Sequence, residues 1–275
     1  MLSPYAHEGR QRQARISGEW VDVVEWGEGE PLVLIPGLAG GWKLVAPLAT
    51  RLARHYHVIV PGLRGDRFPS GAPAAQDMGD LAHDLGLLLD QMGLELPTVF
   101  GVSFGGAVAL ELAASQPGRL GALVLQGVEA KFRVNLGAKI ARRVLERFPL
   151  PSDNGFVNQF FNLLHGGKPE SSALSEFVVE RCWETDQSVM AQRIGLLGSF
   201  DVSDRLWSID VPTMILAGTR DVIVPTSRQK ALAASIAGAR YEAIEGAGHV
   251  GFLTHRAEIS QKIRGFLRSV RHSHC

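Results

Sequence analysis

Cysteine is almost missing from this chain: only Cys182 and Cys275 occur among 275 residues. Two thiols make no disulfide framework, so a reducing, cytoplasmic setting is expected. An excess of charge of one sign is missing too. Twenty-eight Lys and Arg are matched by 28 Asp and Glu, a formal net charge of zero. That argues against nucleic acid or an anionic membrane surface as the main partner. No apolar run approaches 18 residues, so no stable membrane insertion is expected. Met1 to Arg15 are polar and lack the apolar stretch of a signal peptide. Internal repeats and low-complexity segments are absent. No C-x-x-C, H-E-x-x-H or P-loop G-K-[ST] occurs, and no metal or cofactor is expected. The terminal His272-Ser273-His274-Cys275 has ligand-type side chains but reads as a frayed tail. Nothing in the sequence sets an oligomeric state.

What is present is 45% hydrophobic residues, an ordinary soluble composition, in a length that suits one large domain or a core with an insertion. Residues 15–26 read as an antiparallel hairpin turning near Ser17-Gly18. Short apolar runs then alternate with helical patterns. Strands are predicted at Leu32–Ile35, His57–Val60, Thr98–Val102, Ala122–Leu125, Thr213–Ala217 and Tyr241–Ile244. Helices are predicted at about 42–54, 77–93, 104–115, 225–237 and 255–269. Runs of Val, Ile and Leu without alternation suit strands buried on both faces. An α/β fold follows, a mainly parallel sheet with helices on both sides.

The alternation fails from about Val128 to Trp207. Leu136–Phe148, Asn154–Leu164, Ser171–Trp183 and Gln187–Leu197 all read as helices, broken at Pro149, Pro151, Gly166-Gly167 and Pro169. The division expected is a core of 1–127 and 208–275 with an inserted helical cap at 128–207, lying over the carboxyl edge of the sheet. Phe132, Phe156, Phe160, Phe161 and Trp183 of this stretch are candidates to line a substrate pocket. The competing reading of such an aromatic stripe is a seam that holds the helices to their neighbours.

The most informative segment is Gly101-Val102-Ser103-Phe104-Gly105, placed between a predicted strand and a predicted alanine- and leucine-rich helix. A serine boxed by glycines on a strand-to-helix turn is the pattern of a nucleophile elbow. The glycines remove side chains that would collide at a sharp turn, and the helix N-terminus offers N–H groups to a developing oxyanion. A serine hydroxyl needs a base, and the base needs an orienting carboxylate. His249 follows the last predicted strand in Glu245-Gly246-Ala247-Gly248-His249, where small residues let the loop fold over the sheet edge. Asp221 follows the preceding strand in Gly218-Thr219-Arg220-Asp221, with Glu129 as its main competitor and Asp201 or Asp204 as further ones. Two oxyanion donors are expected: the backbone N–H of Phe104 and an N–H from Pro36-Gly37-Leu38-Ala39-Gly40-Gly41, placed at Leu38.

On these residues the chain, from Trp20 to Val270, resembles the α/β-hydrolase superfamily, in its serine-nucleophile, esterase-like branch with a helical cap. The matching stretches are Leu32–Gly41, His57–Gly65, Thr98–Gly106, Met214–Pro225 and Gly246–His249. The resemblance implies a mostly parallel eight-stranded sheet. It also implies Ser103 as nucleophile, His249 as general base and acid, Asp221 as orienting carboxylate, and Leu38 and Phe104 as the oxyanion hole. Two loops depart from the family pattern: Pro36-Gly37 stands where many members carry His-Gly, and Gly62-Leu63-Arg64-Gly65-Asp66-Arg67 where many carry Asp-x-x-Gly-x-Gly.

The expected activity is serine hydrolysis of carboxylic esters with small to medium apolar or aryl acyl groups, a small-molecule substrate. The same three residue types also run diketone carbon–carbon hydrolysis and lactone, thioester, peptide and perhydrolysis chemistry. A hydrolase-fold receptor that senses a ligand is the alternative outside enzymes.

Overall fold

The computed structural model describes residues 9–66, 75–132, 136–167, 169 and 171–272. Its centre is an eight-stranded sheet in the order β1-β2-β4-β3-β5-β6-β7-β8. The strands are β1 (Arg10–Ile16), β2 (Glu19–Trp26), β3 (Pro31–Ile35), β4 (His57–Pro61), β5 (Thr98–Val102), β6 (Ala122–Gln126), β7 (Thr213–Gly218) and β8 (Arg240–Ile244). The β1–β2 and β2–β4 pairings are antiparallel. From β4 through β3, β5, β6 and β7 to β8 all pairings are parallel. The α/β-hydrolase fold expected from the sequence is what the chain adopts.

The hairpin turns where predicted. Ile16 pairs with Glu19 across Ser17-Gly18, whose positive φ angles of 49° and 87° suit the right-handed twist of a two-residue hairpin loop. Its first strand begins at Arg10, earlier than the pattern suggested, because polar Gln11, Arg12 and Gln13 hide the alternation on an exposed edge.

The parallel strands explain their own apolar runs. Leu32, Leu34, Val58, Val60, Phe100, Val102, Val124, Met214 and Leu216 enter one core. Val33, Ile35, Ile59, Val99, Leu123, Leu125 and Ile215 enter the other. Successive side chains alternate between faces, so a strand covered on both sides must be apolar at every position. The first face is covered by α1 (Gly41–Leu52) and by α10 (Arg256–His272) through Ile259, Ile263, Phe266 and Leu267. The second is covered by α2 (Met78–Gln91), α3 (Phe104–Ser115) and α8 (Thr226–Ser235). Helix α3 is buried from Phe104 to Ala114, which its alanine-rich, all-round apolar sequence permits.

Between β6 and β7 lie α4 (Leu136–Arg147), α5 (Gly155–Leu163), α6 (Ser172–Trp183) and α7 (Gln187–Ser199), as the sequence predicted. Asn154, Ser171 and Asp186 cap the last three, each side chain accepting from a backbone N–H of the first turn. A 3-10 turn at Ser203–Ser208 and a single-turn α9 at Gly251–Thr254 are additions, too short to leave a periodic signal. Among the described residues no helix is long and apolar enough to cross a membrane.

Candidate active site

Ser103 sits between β5 and α3 with φ 51° and ψ −114°. An L-residue adopts that geometry only when its surroundings hold it there, and three glycines make the room. A Cβ on Gly101 would stand 2.4 Å from the Gly106 Cα, and one on Gly105 would stand 2.3 Å from the Pro36 carbonyl oxygen. A Cβ on Gly106 would stand 2.1 Å from the Val128 side chain. The turn is then fixed by the sheet: the Ser103 N–H donates to the Gln126 carbonyl at 2.8 Å, and the Ala107 N–H donates to the Ser103 carbonyl at 3.0 Å. The hydroxyl is left at the carboxyl end of the strands, half-buried.

His249 and Asp221 come to the same point from the two loops after β8 and β7. Those loops are joined to each other. Thr219 N–H donates to the Ile244 carbonyl at 3.0 Å and Arg220 N–H to the Ala247 carbonyl at 2.9 Å. Gly246 N–H donates to Thr219 Oγ1 at 2.9 Å. The small residues before His249 are needed for this fit, because a Cβ on Gly248 would meet the His165 backbone at 2.3 Å. His249 Nδ1 lies 2.8 Å from Asp221 Oδ2, and Nε2 lies 2.8 Å from Ser103 Oγ. A carboxylate only accepts, so Nδ1 carries a proton, and in that tautomer Nε2 faces the serine hydroxyl as its acceptor. The other carboxylate oxygen, Asp221 Oδ1, accepts from the backbone N–H groups of Ile223 and Val224, both at 2.9 Å. Asp221 and His249 are both buried.

Glu129, the competing acid, is turned elsewhere. Its carboxylate takes Arg228 Nη1 at 3.0 and 3.1 Å. Of the other acids near the insertion, Asp201 pairs with Lys131, which with the Ser203 bonds holds its carboxyl down at about 2.

The candidate oxyanion donors flank Ser103. Phe104 opens α3, and the first N–H groups of a helix have no intrahelical acceptor. Leu38 lies in the loop after β3, and a Cβ on Gly37 beside it would be only 3.7 Å from the Ser103 Cβ. The structure therefore brings Ser103, His249, Asp221, Phe104 and the Leu38 loop to one place.

The aromatic candidates divide. Phe161 of α5 stacks edge-on against Trp183 of α6, with centroids 5.9 Å apart, and Trp183 Nε1 donates to Asn158 Oδ1 at 2.8 Å. Those two rings join neighbouring helices. Phe132 packs on Phe200 at 6.2 Å. Phe160 is half-buried on α5. The Phe156 side chain and the His272 side chain, with residues 273–275, lie outside the described residues.

Two buried glutamines were not legible as site residues. Gln126 Nε2 donates to the His249 backbone carbonyl at 2.9 Å, while the Gln126 backbone carbonyl takes the Ser103 N–H. Gln229 accepts from Gly127 N–H at 3.1 Å and donates to the Val224 carbonyl at 2.7 Å, tying the Asp221 turn to the end of β6. A polar residue closing the apolar run Ala122–Leu125 was the one available sign for Gln126. Gly127 also matters: its φ is +66°, and a Cβ there would stand 2.7 Å from the His249 Cε1.

The chain is similar in sequence and in fold to known proteins. Residues 30–256 match the family model described as the alpha/beta hydrolase fold. The protein RutD of Pseudomonas syringae pv. syringae is 30% identical over 251 residues, covering 86% of this chain and 93% of its own. The pimeloyl-[acyl-carrier protein] methyl ester esterase of Xanthomonas campestris pv. campestris is 29% identical over 280 residues, covering 91% of this chain and 99% of that protein. Among solved structures, a thermophilic esterase from Thermogutta terrifontis superposes with a TM-score of 0.82 at 24% identity, covering 95% of this chain and 99% of the other. With the strand order, the elbow and these matches together, the chain belongs to the α/β-hydrolase fold family.

Proposed function

We propose that the protein is a serine hydrolase that cleaves carboxylic esters through an acyl-enzyme intermediate. The observation that carries the reading is the Ser103 hydroxyl at 2.8 Å from His249 Nε2, on a backbone strained to φ 51°. A purely structural serine gives no reason for that strain.

In this reading Ser103 Oγ attacks the ester carbonyl carbon while its proton passes to His249 Nε2. The carbonyl oxygen takes the negative charge and is met by the N–H groups of Phe104 and Leu38. Asp221 keeps the imidazole oriented and stabilises the imidazolium. Collapse of the tetrahedral intermediate expels the alcohol, which leaves with the proton from His249. Water then repeats the cycle on the acyl-enzyme, giving the acid and free Ser103. No step requires a cofactor. The inserted helices act as the cap over this site and favour small to medium apolar or aryl acyl groups. The relatives support acyl chemistry of this kind. One is named a methyl ester esterase, RutD carries a carbamate-hydrolase name, and an enol-lactonase from Burkholderia xenovorans shares the fold.

A p-nitrophenyl ester chain-length series on the wild type and on Ser103→Ala tests the assignment. Turnover is expected to fall by about 10⁴-fold or more in the variant, with short and aryl esters preferred by the wild type. Unchanged turnover in Ser103→Ala sinks the reading, and a preference for charged acyl groups sinks the substrate class.

A further inference from the structure

We propose that Arg193, on α7 of the insertion, is a positioning residue for the oxyanion hole, so that the donor loop is completed by the insertion rather than by the sheet core alone. The proposal rests on the ester-hydrolysis reading of the site and deepens it.

Arg193 is 3% exposed, among the most buried charged groups of the chain. A guanidinium taken out of water must be paired and hydrogen-bonded or the fold is heavily penalised. Its partners come from three segments around Ser103. Nη1 donates to the carbonyl of Leu38 at 2.9 Å. Nη2 donates to Asp66 Oδ1 at 2.6 Å, in the loop after β4. The guanidinium carbon lies 5.3 Å from the centroid of the Phe104 ring. Leu38 and Phe104 are the two residues whose N–H groups are assigned to the developing oxyanion, and one side chain touches both. Asp66 is itself held, since Oδ2 accepts from the Leu63 N–H at 2.6 Å.

A second contact makes the same connection independently. Gly40, at the other end of the donor loop and with φ 83°, donates its N–H to Thr185 Oγ1 at 2.9 Å. Thr185 lies between α6 and α7. The loop from Pro36 to Gly41 therefore satisfies one carbonyl and one N–H on the insertion. The bond to the Leu38 carbonyl anchors the peptide unit that follows Leu38. The Leu38 N–H, in the preceding unit, is separated from that anchor only by the φ and ψ of one residue, so its aim is restricted too. Donors for an oxyanion act through preorganisation, so a loop free to reorient loses rate without losing substrate affinity.

A lysine cannot replace this group. Its single ammonium is a point charge, while the planar fork of arginine reaches the Leu38 carbonyl and Asp66 at once and lies against the ring. Loss of the fork also leaves Asp66 facing an unbalanced site.

The experiment compares wild type, Arg193→Met, Arg193→Lys, Thr185→Val and the exposed control Arg142→Met. Two readouts are taken: kinetics on a p-nitrophenyl ester, and amide hydrogen exchange of the segment spanning residues 36–41. Arg193→Met is expected to exchange faster in that segment and to lose about 10- to 100-fold in kcat with KM within about twofold. Arg193→Lys restores little of the rate, Thr185→Val shows a smaller loss of the same kind, and Arg142→Met behaves as wild type. If Arg193→Met fails to fold, the Lys and Thr185 variants carry the test. An active wild type with an equally active Arg193 variant overturns the proposal and leaves the ester reading standing. So does a loss confined to KM and melting temperature with exchange at residues 36–41 unchanged. A wild type that turns over no ester overturns both.

Discussion

At the scale of single residues, the site depends on atoms that the sequence names and atoms that it removes. Ser103, His249 and Asp221 were legible because each follows a strand. Glycines flank Ser103 and precede His249, while Asp221 stands out by its place after β7 and by the chain order Ser, Asp, His. The roles of the small residues are sharper in three dimensions. Gly127 leaves the space that the imidazole occupies, since any Cβ would stand 2.7 Å from Cε1. Gly127→Ala is expected to lower kcat by about 10- to 100-fold while costing about 1–2 kcal/mol of stability for its positive φ. Kinetics alongside urea denaturation separate the two effects; a full-rate variant contradicts the packing argument. Asp221→Asn keeps the shape of the side chain but no longer enforces the imidazole tautomer, and kcat should fall by about 10⁴-fold. Wild-type rates in that variant would return Glu129 to consideration, although its carboxylate is engaged by Arg228.

At the scale of elements, the elbow is a packing contact between β5, α3 and the loop after β3. The chain approaches itself there with backbone against backbone, so no rotamer change can relieve an added methyl. Gly101→Ala and Gly105→Ala should each destabilise by about 1–3 kcal/mol, with the midpoint of denaturation shifted and activity lost. A stable, active Gly105→Ala protein would show that the Pro36 carbonyl can retreat. Most elements were legible from pattern because the parallel strands are covered on both faces and the helices carry clear stop signals at glycine and proline. What escaped was short or non-local. The single turn of α9 and the 3-10 turn hold too few residues for periodicity. Arg193 reaches Leu38 across 155 residues and Asp66 across 127. Local sequence carries no trace of such a pair, and a charged residue on a helix reads as surface until its partners are known. Gln126 and Gln229 escaped for the same reason.

At the scale of the molecule, two cores back one sheet and the helical insertion reaches the carboxyl end of the strands. Cys182 shows how dry the insertion is. It lies on α6 at 2% exposure, and burial pushes its thiol up to about 12. The folded state therefore holds the neutral thiol, while the unfolded chain releases its proton at the ordinary lower value. The contribution is fully present below the unfolded pKa and is lost as pH rises toward about 12. Stability should accordingly decline above roughly pH 9, and Cys182→Ala should flatten that alkaline limb. In a Cys275→Ser background the native protein should resist thiol reagents at pH 8 and react only on unfolding. Rapid native labelling of Cys182 would show that the insertion opens.

The central claim is that the Ser103 hydroxyl, activated by His249, is the group that carries the acyl chain. Fluorophosphonate labelling followed by peptide mass spectrometry tests it most directly. One adduct per chain is predicted, located on Ser103, formed in step with loss of ester turnover and absent in His249→Ala. Ester turnover that persists when Ser103 is fully modified, or an adduct on another residue, would contradict the account.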